Sequence, residues 1–311
     1  MNAPPQVSVV MSVYNGADRL VNTLNSILSQ EGVDVEFIVV NDGSTDETPS
    51  ILRRYAEKDN RLTIIDQTNR GLTRSLIRGC KEARGEFIAR QDAGDISLPE
   101  RLQKEVDFLV SHPEVVLVSC GTRFVDPQGE CVHEVMQSED EAREGLGRHT
   151  LAEIRGPSSH GATMFRRRVY EKAGGYRSQF HVAQDLDLWT RLVEHGEHAA
   201  LQEILIVAEL SPDSISSTKR ALQISTAVLI LECARGRNNG GDETSLLKKV
   251  ETLGVHRARN NKRFKRADFF YFLGSCTAYE NKDRAHGYFR ESLKNNPLHI
   301  KALFRYLKTA F

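Results

Sequence analysis

An α/β fold is what this sequence predicts: a mostly parallel sheet with helices on both faces, followed by a smaller α-helical region. Two observations lead there. Through the first hundred residues, short apolar runs alternate with stretches of helical periodicity. The runs are almost continuously apolar and β-branched, as strands buried on both faces of a parallel sheet are. Beyond Ser211 the strand signals stop and the pattern turns helical.

VSVVMSV (7–13) reads as the first strand. DRLVNTLNSILSQ follows as a helix with Leu20, Leu24, Ile27 and Leu28 on one face. VEFIVV (35–40) is a second strand and DETPSILRRYAEK a second helix. RLTIID, GLTRSLIRGCKEARG and GEFIARQD continue as strand, helix and strand. Strands separated by helical patterns of this length are βαβ units. Right-handed crossovers bring their C-terminal ends to one edge, and such sheets bind ligands at that edge. Further on, SLPERL reads as a helix start, with Ser97 as N-cap and Pro99 in the first turn.

After about residue 112 the pattern changes. VVLVSCGTRFVDPQGECVHEV reads as strands joined at DPQG, and HGATMFRRRVYEKAGGY as a strand edge, a helix and a Gly-Gly stop. VAQDLDLWTRLVEHG is a helix and AALQEILIVAEL a strand. The expected division is residues 1–212 for the α/β domain and 213–311 for the helical region. The last 45 residues look like a helical pair. In it Leu273, Gly274, Ala285, Phe289, Ser292 and Pro297 fall near tetratricopeptide positions, one residue short. A single unit cannot stack as an array does, so a degenerate cap or a dimer element is expected.

Composition narrows the functional classes. The 311 residues carry 42 Lys and Arg and 42 Asp and Glu, a balance that gives no reason to expect nucleic acid as a partner. The balance hides an asymmetry: residues 257–311 hold 13 Lys and Arg against 4 Asp and Glu, a net of +9. RARNNKRFKR (257–266) and KALFRYLKTAF (301–311) suit an anionic membrane surface, or a solvated face with a homo-oligomer contact. Five widely spaced cysteines, an odd number without a C-x-x-C pair, suggest reduced thiols in a cytosolic protein. The start MNAPPQVSVVMSVYNG lacks a basic n-region, so no signal peptide is expected. No stretch approaches the apolar length of a membrane span. The expected location is cytoplasmic, with a peripheral position at the inner face of the membrane as its variant. Motifs for dinucleotide binding, P-loops, α/β-hydrolases and zincins are absent.

Polar loops gather at the expected ligand edge. The first strand ends in Tyr14-Asn15-Gly16, the second in NDGSTD (41–46), the fourth in RQDAGDISLP (90–99). NDGSTD by itself is a turn followed by a helix cap from Thr45 or Asp46. In the last loop two carboxylates, Asp92 and Asp95, lie three residues apart. A bound cation would remove their repulsion, whereas a plain turn would leave both in water.

Taken in order, VSVVMSVYNG, IVVNDGSTDET, GEFIARQDAGDISLPERL, GGYR and AQDLDLW resemble a family 2 glycosyltransferase of GT-A fold, over roughly residues 6–210. The resemblance implies inverting transfer of a hexosyl group from a nucleotide-diphosphate donor, UDP-linked by expectation. The acceptor would be a hydroxyl of a carbohydrate or lipid-linked glycan, in polysaccharide biosynthesis. Val13, Tyr14 and Asn15 would line the nucleotide, and Asp42 would accept the uracil N3–H. Asp92 would reach the ribose or a metal. Asp92 and Asp95 together would hold Mn²⁺ or Mg²⁺, which prefer oxygen ligands and share their shell with phosphates. Such a cation offsets the charge gathering on a diphosphate leaving group. Asp185 matches the general base, and the bland alternative for it is an acid favoured by a helix N-terminus. Asp187 would cap or bond the local backbone.

Several assignments stay two-sided. Arg70 and Arg74 would meet the diphosphate or uracil, or form a solvated helix face. His160 would face the mouth of the site, or be a satisfied buried histidine. Trp189 would floor the sugar or acceptor site, or belong to the core. His195 and His198 have no further ligands nearby and are not read as a metal pair. The family usually writes its loop D-A-D-D, and this chain has Gly94 at the third position. Either Asp95 takes over coordination because glycine re-aims the backbone, or metal dependence is weak, or catalysis is lost. In the last case the chain would act as a binding or assembly module through its C-terminal helices.

Overall fold

The computed structural model describes residues 4–212, 219–253, 262–278 and 281–309. The expected domain boundary at 212/213 and most of the basic segment 257–266 lie outside the described residues or at their edge. The strands are β1 (Val7–Val13), β2 (Val35–Asp42), β3 (Leu62–Gln67), β4 (Phe87–Arg90), β5 (Ile96–Ser97), β6 (Val115–Val125), β7 (Cys131–Val135), β8 (Thr163–Arg166) and β9 (Glu197–Glu209). Among the described residues they form one sheet, in the order β3-β2-β1-β4-β8-β6-β9-β5, with β7 paired to β6. The β3-β2-β1-β4 half is parallel, as the alternating pattern predicts. β8 is antiparallel to both β4 and β6, so parallel order ends there.

Helices α1 (Ala17–Leu28), α2 (Thr48–Ala56) and α4 (Arg101–Ser111) cover one face. Leu20, Leu24, Ile27, Leu52, Leu102 and Val106 pack there on Val7, Val9 and Met11 of β1. The alternate residue Val10 points to the opposite face. There it meets Leu76 and Cys80 of α3 (Leu72–Glu82), Val169 of α6 (Arg167–Lys172) and Leu188 of α7 (Gln184–Leu192). Each such aliphatic side chain contributes about 1.5–3 kcal/mol by leaving water. A short helix, α5 (Glu139–Gly145), starts with a capping box in which Ser138 and Glu141 bond each other's backbone.

Ser97 does not cap a helix. It lies in β5, and its hydroxyl bonds the Gln91 side chain. Pairing of Ile96 and Ser97 with β9 delays the helix until Arg101, after Glu100 in the left-handed region.

The helical region comprises α8 (Arg220–Asn238), α9 (Thr244–Leu253), α10 (Lys262–Thr277), α11 (Lys282–Asn295) and α12 (Ile300–Thr309). The expected terminal pair is therefore followed by a third helix. α8 and α9 meet the α/β domain where Ile230 and Val250 pack with Phe180. α10 and α11 meet it where Phe269, Leu273 and Tyr288 cover Val132 of β7. Arg284 and Tyr288 of α11 both donate to the buried Asp126 carboxylate. Phe289 lies against Gly274, as the tetratricopeptide-like spacing suggests.

Candidate active site

The C-terminal ends of β1, β2 and β4 share one edge because these strands are parallel neighbours. Val13 is buried in the core, while Tyr14 is exposed. Asn15 has a φ of 50°, unusual for a non-glycine residue. That turn lets its Oδ1 accept from the Thr45 amide at 2.8 Å while its own amide donates to the Ser44 hydroxyl at 2.9 Å. The β1 and β2 loops are stitched together there. Asp46, and not Thr45, bonds the amide of Thr48 at the start of α2, and it also accepts from Ala17 at the start of α1.

Asp42 is 2 % exposed. Its carboxylate accepts from the Gln67 side chain (2.7 Å) and from the amides of Arg70 and Gly71 (both 2.8 Å). It thus fixes the loop that starts α3. A carboxylate offers about four acceptor sites, so one remains for a ligand donor. Beside it, between the ends of β2 and β3, lies a depression of about 590 Å³ lined by Asn41, Gly43, Ser44 and Asn69. This depression is two strands away from the β4 carboxylates. The Arg70 and Arg74 side chains are exposed, and neither has an ion-pair partner among the described residues.

The β4 loop rests on a buried polar scaffold. Arg90 is fully buried and donates to Asp92 Oδ1 (2.5 Å), to the carbonyls of Val10 and Gln91, and to His160 Nε2. Arg101, also fully buried, bonds Gln91, Ser97, Glu105 and the Arg90 carbonyl. Neither arginine was singled out from the sequence. For Arg90 the available signal was a guanidinium at the end of an otherwise apolar strand, where burial demands partners.

Asp92 and Asp95 do converge. A Cβ placed on Gly161 would sit 3.0 Å from Asp95 Oδ2 and 3.7 Å from Asp92 Oδ2. Only glycine leaves that gap open. Burial, and then the Asp92 charge, push the Asp95 carboxyl well above its usual range. Among the described residues no three His, Cys, Asp or Glu side chains form a metal set. Two oxygen ligands facing one gap nevertheless fit a hard cation that takes its other ligands from phosphates and water. Gly94 has a φ of 107°, and its missing side chain would point toward Arg19. The glycine therefore serves a backbone turn that an aspartate would strain.

His160 does not open onto the mouth. It is 8 % exposed and lies behind Asp92, bonded to Arg90 and to the Tyr176 hydroxyl (2.7 Å). Burial and the Arg90 charge hold its pKa well below the usual histidine value, so it is neutral. Trp189 is buried in the core edge-on to His160 and is no open floor. His198 is buried and bonds Ser119.

Asp185 lies in the first turn of α7, after Ala183 with a φ of 53°. Its Oδ1 accepts from the Leu186 amide at 2.9 Å. Burial raises its carboxyl above the usual range; the amide opposes that rise, and the Asp92 charge adds to it. Asp187 neither caps nor bonds backbone through its carboxylate. It is fully buried and ion-paired to Arg177 and Arg191, because one helical position on from Leu186 turns it inward.

An enzyme of the sugar-transferring class is what this edge and its carboxylates describe, and the comparisons agree. The family model described as Glycosyl transferase family 2 matches residues 8–174, and the chain belongs to that family. It is 34% identical over 240 residues to the putative glycosyltransferase EpsE of Bacillus subtilis, covering 76% of this chain and 84% of EpsE. Among solved structures, S. aureus TarS 1-349 in complex with UDP-GlcNAc aligns with a TM-score of 0.59 at 17% identity, over 98% of this chain and 90% of that one. The mannosyltransferase PcManGT from Pyrobaculum calidifontis, in complex with GDP-Man and Mn²⁺, aligns with a TM-score of 0.56 at 19% identity, over 99% and 86%. The fold is GT-A, and the protein is a glycosyltransferase.

Proposed function

We propose that the chain is an inverting transferase that moves a sugar from a UDP-linked donor to a hydroxyl of a carbohydrate or lipid-linked glycan. The observation that carries this reading is the shared sheet edge: Asp42 ends β2, Asp92 and Asp95 follow β4, these parallel strands flank β1, and the Asp92 and Asp95 carboxylates close on one gap. Burial raises the Asp185 carboxyl above its usual range. A base works best when its pKa lies near the working pH. Asp185 takes the proton of the acceptor hydroxyl as that oxygen bonds the anomeric carbon and the bond to the diphosphate breaks on the opposite side. Asp42 offers its remaining acceptor site to the uracil N3–H. Asp92 and Asp95 would hold Mn²⁺ or Mg²⁺, which when bound would offset the charge of the departing diphosphate. Arg90 keeps the Asp92 carboxylate aimed at that gap. Arg70 and Arg74, exposed at the start of α3, face the diphosphate. TarS with UDP-GlcNAc and PcManGT with GDP-Man and Mn²⁺ support a nucleotide-sugar donor and a divalent cation.

The test compares the parent with Asp185→Asn for UDP release from UDP-sugars, and for thermal stabilisation by UDP with GDP as control. UDP should stabilise both proteins equally, by about 2.7 kcal/mol at a hundredfold excess over Kd. UDP release should fall roughly 10²–10⁴-fold in the variant. Unchanged release by a folded variant would remove Asp185 from the mechanism. Stabilisation by GDP and not UDP would overturn the donor assignment.

A further inference from the structure

The end of the helical region carries a surface that the site does not use. Leu298, Ile300, Leu303, Phe304 and Leu307 are 86, 81, 45, 68 and 54 % exposed. Five large apolar side chains in one patch mark an interaction surface. Their placement on α12 is ordered. Ala302 is buried, Tyr306 stacks on His286 at 4.1 Å, and Thr309 bonds His286, so this side packs on α11. At about 100° per residue, Ile300, Leu303, Phe304 and Leu307 fall on the opposite side, facing out. Lys301, Arg305 and Lys308 share one flank of that stripe, and no acidic residue follows Glu291 in the chain. A shallow depression of about 500 Å³ lies between Tyr271 and α12, lined by Ile300, Phe304 and the same three cations.

We propose that this face of α12 docks on an anionic lipid surface. The apolar stripe enters the acyl boundary while Lys301, Arg305 and Lys308 sit among the headgroup phosphates. An apolar face with cations along its border is how an interfacial helix binds. No helix among the described residues is long and apolar enough to cross a membrane, so α12 lies along the surface. Charge favours lipid over a second copy of the chain. A two-fold contact through this stripe would bring both sets of Lys301, Arg305 and Lys308 to its border with no acidic residue on α12 to offset them. Docking needs no catalysis, so it stands or falls apart from the donor and mechanism proposed above.

The test is co-sedimentation of the full chain with vesicles of phosphatidylcholine alone and of phosphatidylcholine mixed with phosphatidylglycerol, with the oligomeric state measured by light scattering. The parent should pellet with the mixed vesicles, and less so as salt rises. The variant K301Q/R305Q/K308Q should lose roughly a hundredfold in partitioning, since each cation near the surface contributes about fivefold. The variant L303E/F304E should stay in the supernatant. Both variants should keep the parent's circular dichroism and UDP stabilisation. Failure of the parent to pellet, or equal pelleting of both variants, would overturn the proposal. A parent dimer that L303E/F304E dissociates, without vesicle binding, would assign the face to a second copy instead.

Discussion

Asp95 faces Asp92 across a gap that only a glycine at position 161 leaves open. Burial and the neighbouring charge raise its carboxyl, so Asp95 binds a proton more tightly folded than unfolded. Its stabilising contribution is therefore complete below the unfolded value of about 3.9 and is lost as pH rises through the folded value. Without metal, an Asp95→Asn variant should melt higher than the parent at neutral pH, by about 2–4 °C for each kcal/mol of repulsion removed. The difference should close in acid, where both side chains are neutral. Mn²⁺ should raise the melting temperature of the parent and not of the variant. A melting series across pH, with and without Mn²⁺, reads all three outcomes. Gly94 calls for a different substitution. At a φ of 107°, Gly94→Asp adds strain that costs about 1–2 kcal/mol. The variant should melt lower and release no more UDP than the parent. A gain in release would mark the parent as a degenerate enzyme.

Helix α7 joins the site to the helical region. Its first turn carries the partly buried Asp185, and two residues later Asp187 turns inward onto Arg177 and Arg191. Arg177 also pairs with Glu243, which in turn pairs with Arg237 of α8. One buried cluster therefore ties α7, the loop before it and the helical region. Removing Asp187 leaves the buried Arg191 without its carboxylate partner, while Arg177 keeps Glu243. Asp187→Ala should lower stability by about 3–5 kcal/mol, seen as a lower denaturant midpoint. Were α7 held mainly by apolar packing of Leu188 and Leu192, the change would be small.

At the level of the whole molecule, several contacts fasten the helices to the sheet domain. Beside the Arg177–Glu243 pair, they include the Phe180–Ile230–Val250 cluster, the cover of Val132 by Phe269 and Leu273, and Asp126 with Arg284 and Tyr288. Phe180 is itself fully buried, and its carbonyl accepts from Thr73 of α3. The two regions thus share a core, and residues 1–212 and 213–311 should unfold together. Scanning calorimetry should find one transition, moved as a whole by UDP with Mn²⁺. Two transitions, with only one responding to nucleotide, would show that the helical region folds independently of the sheet.

Much of this was legible in the residues. Near-continuous apolar strands with helical runs between them leave little choice but a parallel sheet, because both faces of each strand need cover. That topology alone brings Tyr14, Asp42 and Asp92 to one edge. The acidic loop and the acid before Trp189 were visible as local patterns. What sequence spacing could not decide was which polar groups face solvent and which face each other. Arg90 and Arg101 look like surface residues until the fold buries both, Arg101 on the Arg90 carbonyl and Arg90 on Val10 and His160. His160 and Asp187 differ from ligand-facing groups only by the direction in which packing turns them. Ser97 reads as a helix cap until β9, more than a hundred residues later, claims it as a strand. Long-range pairing outweighs a local capping preference of about 1 kcal/mol. Local patterns settled the strands, the helices and the edge that holds the carboxylates; tertiary contacts alone settled which carboxylates meet across the gap, because burial and orientation are properties of the assembled core.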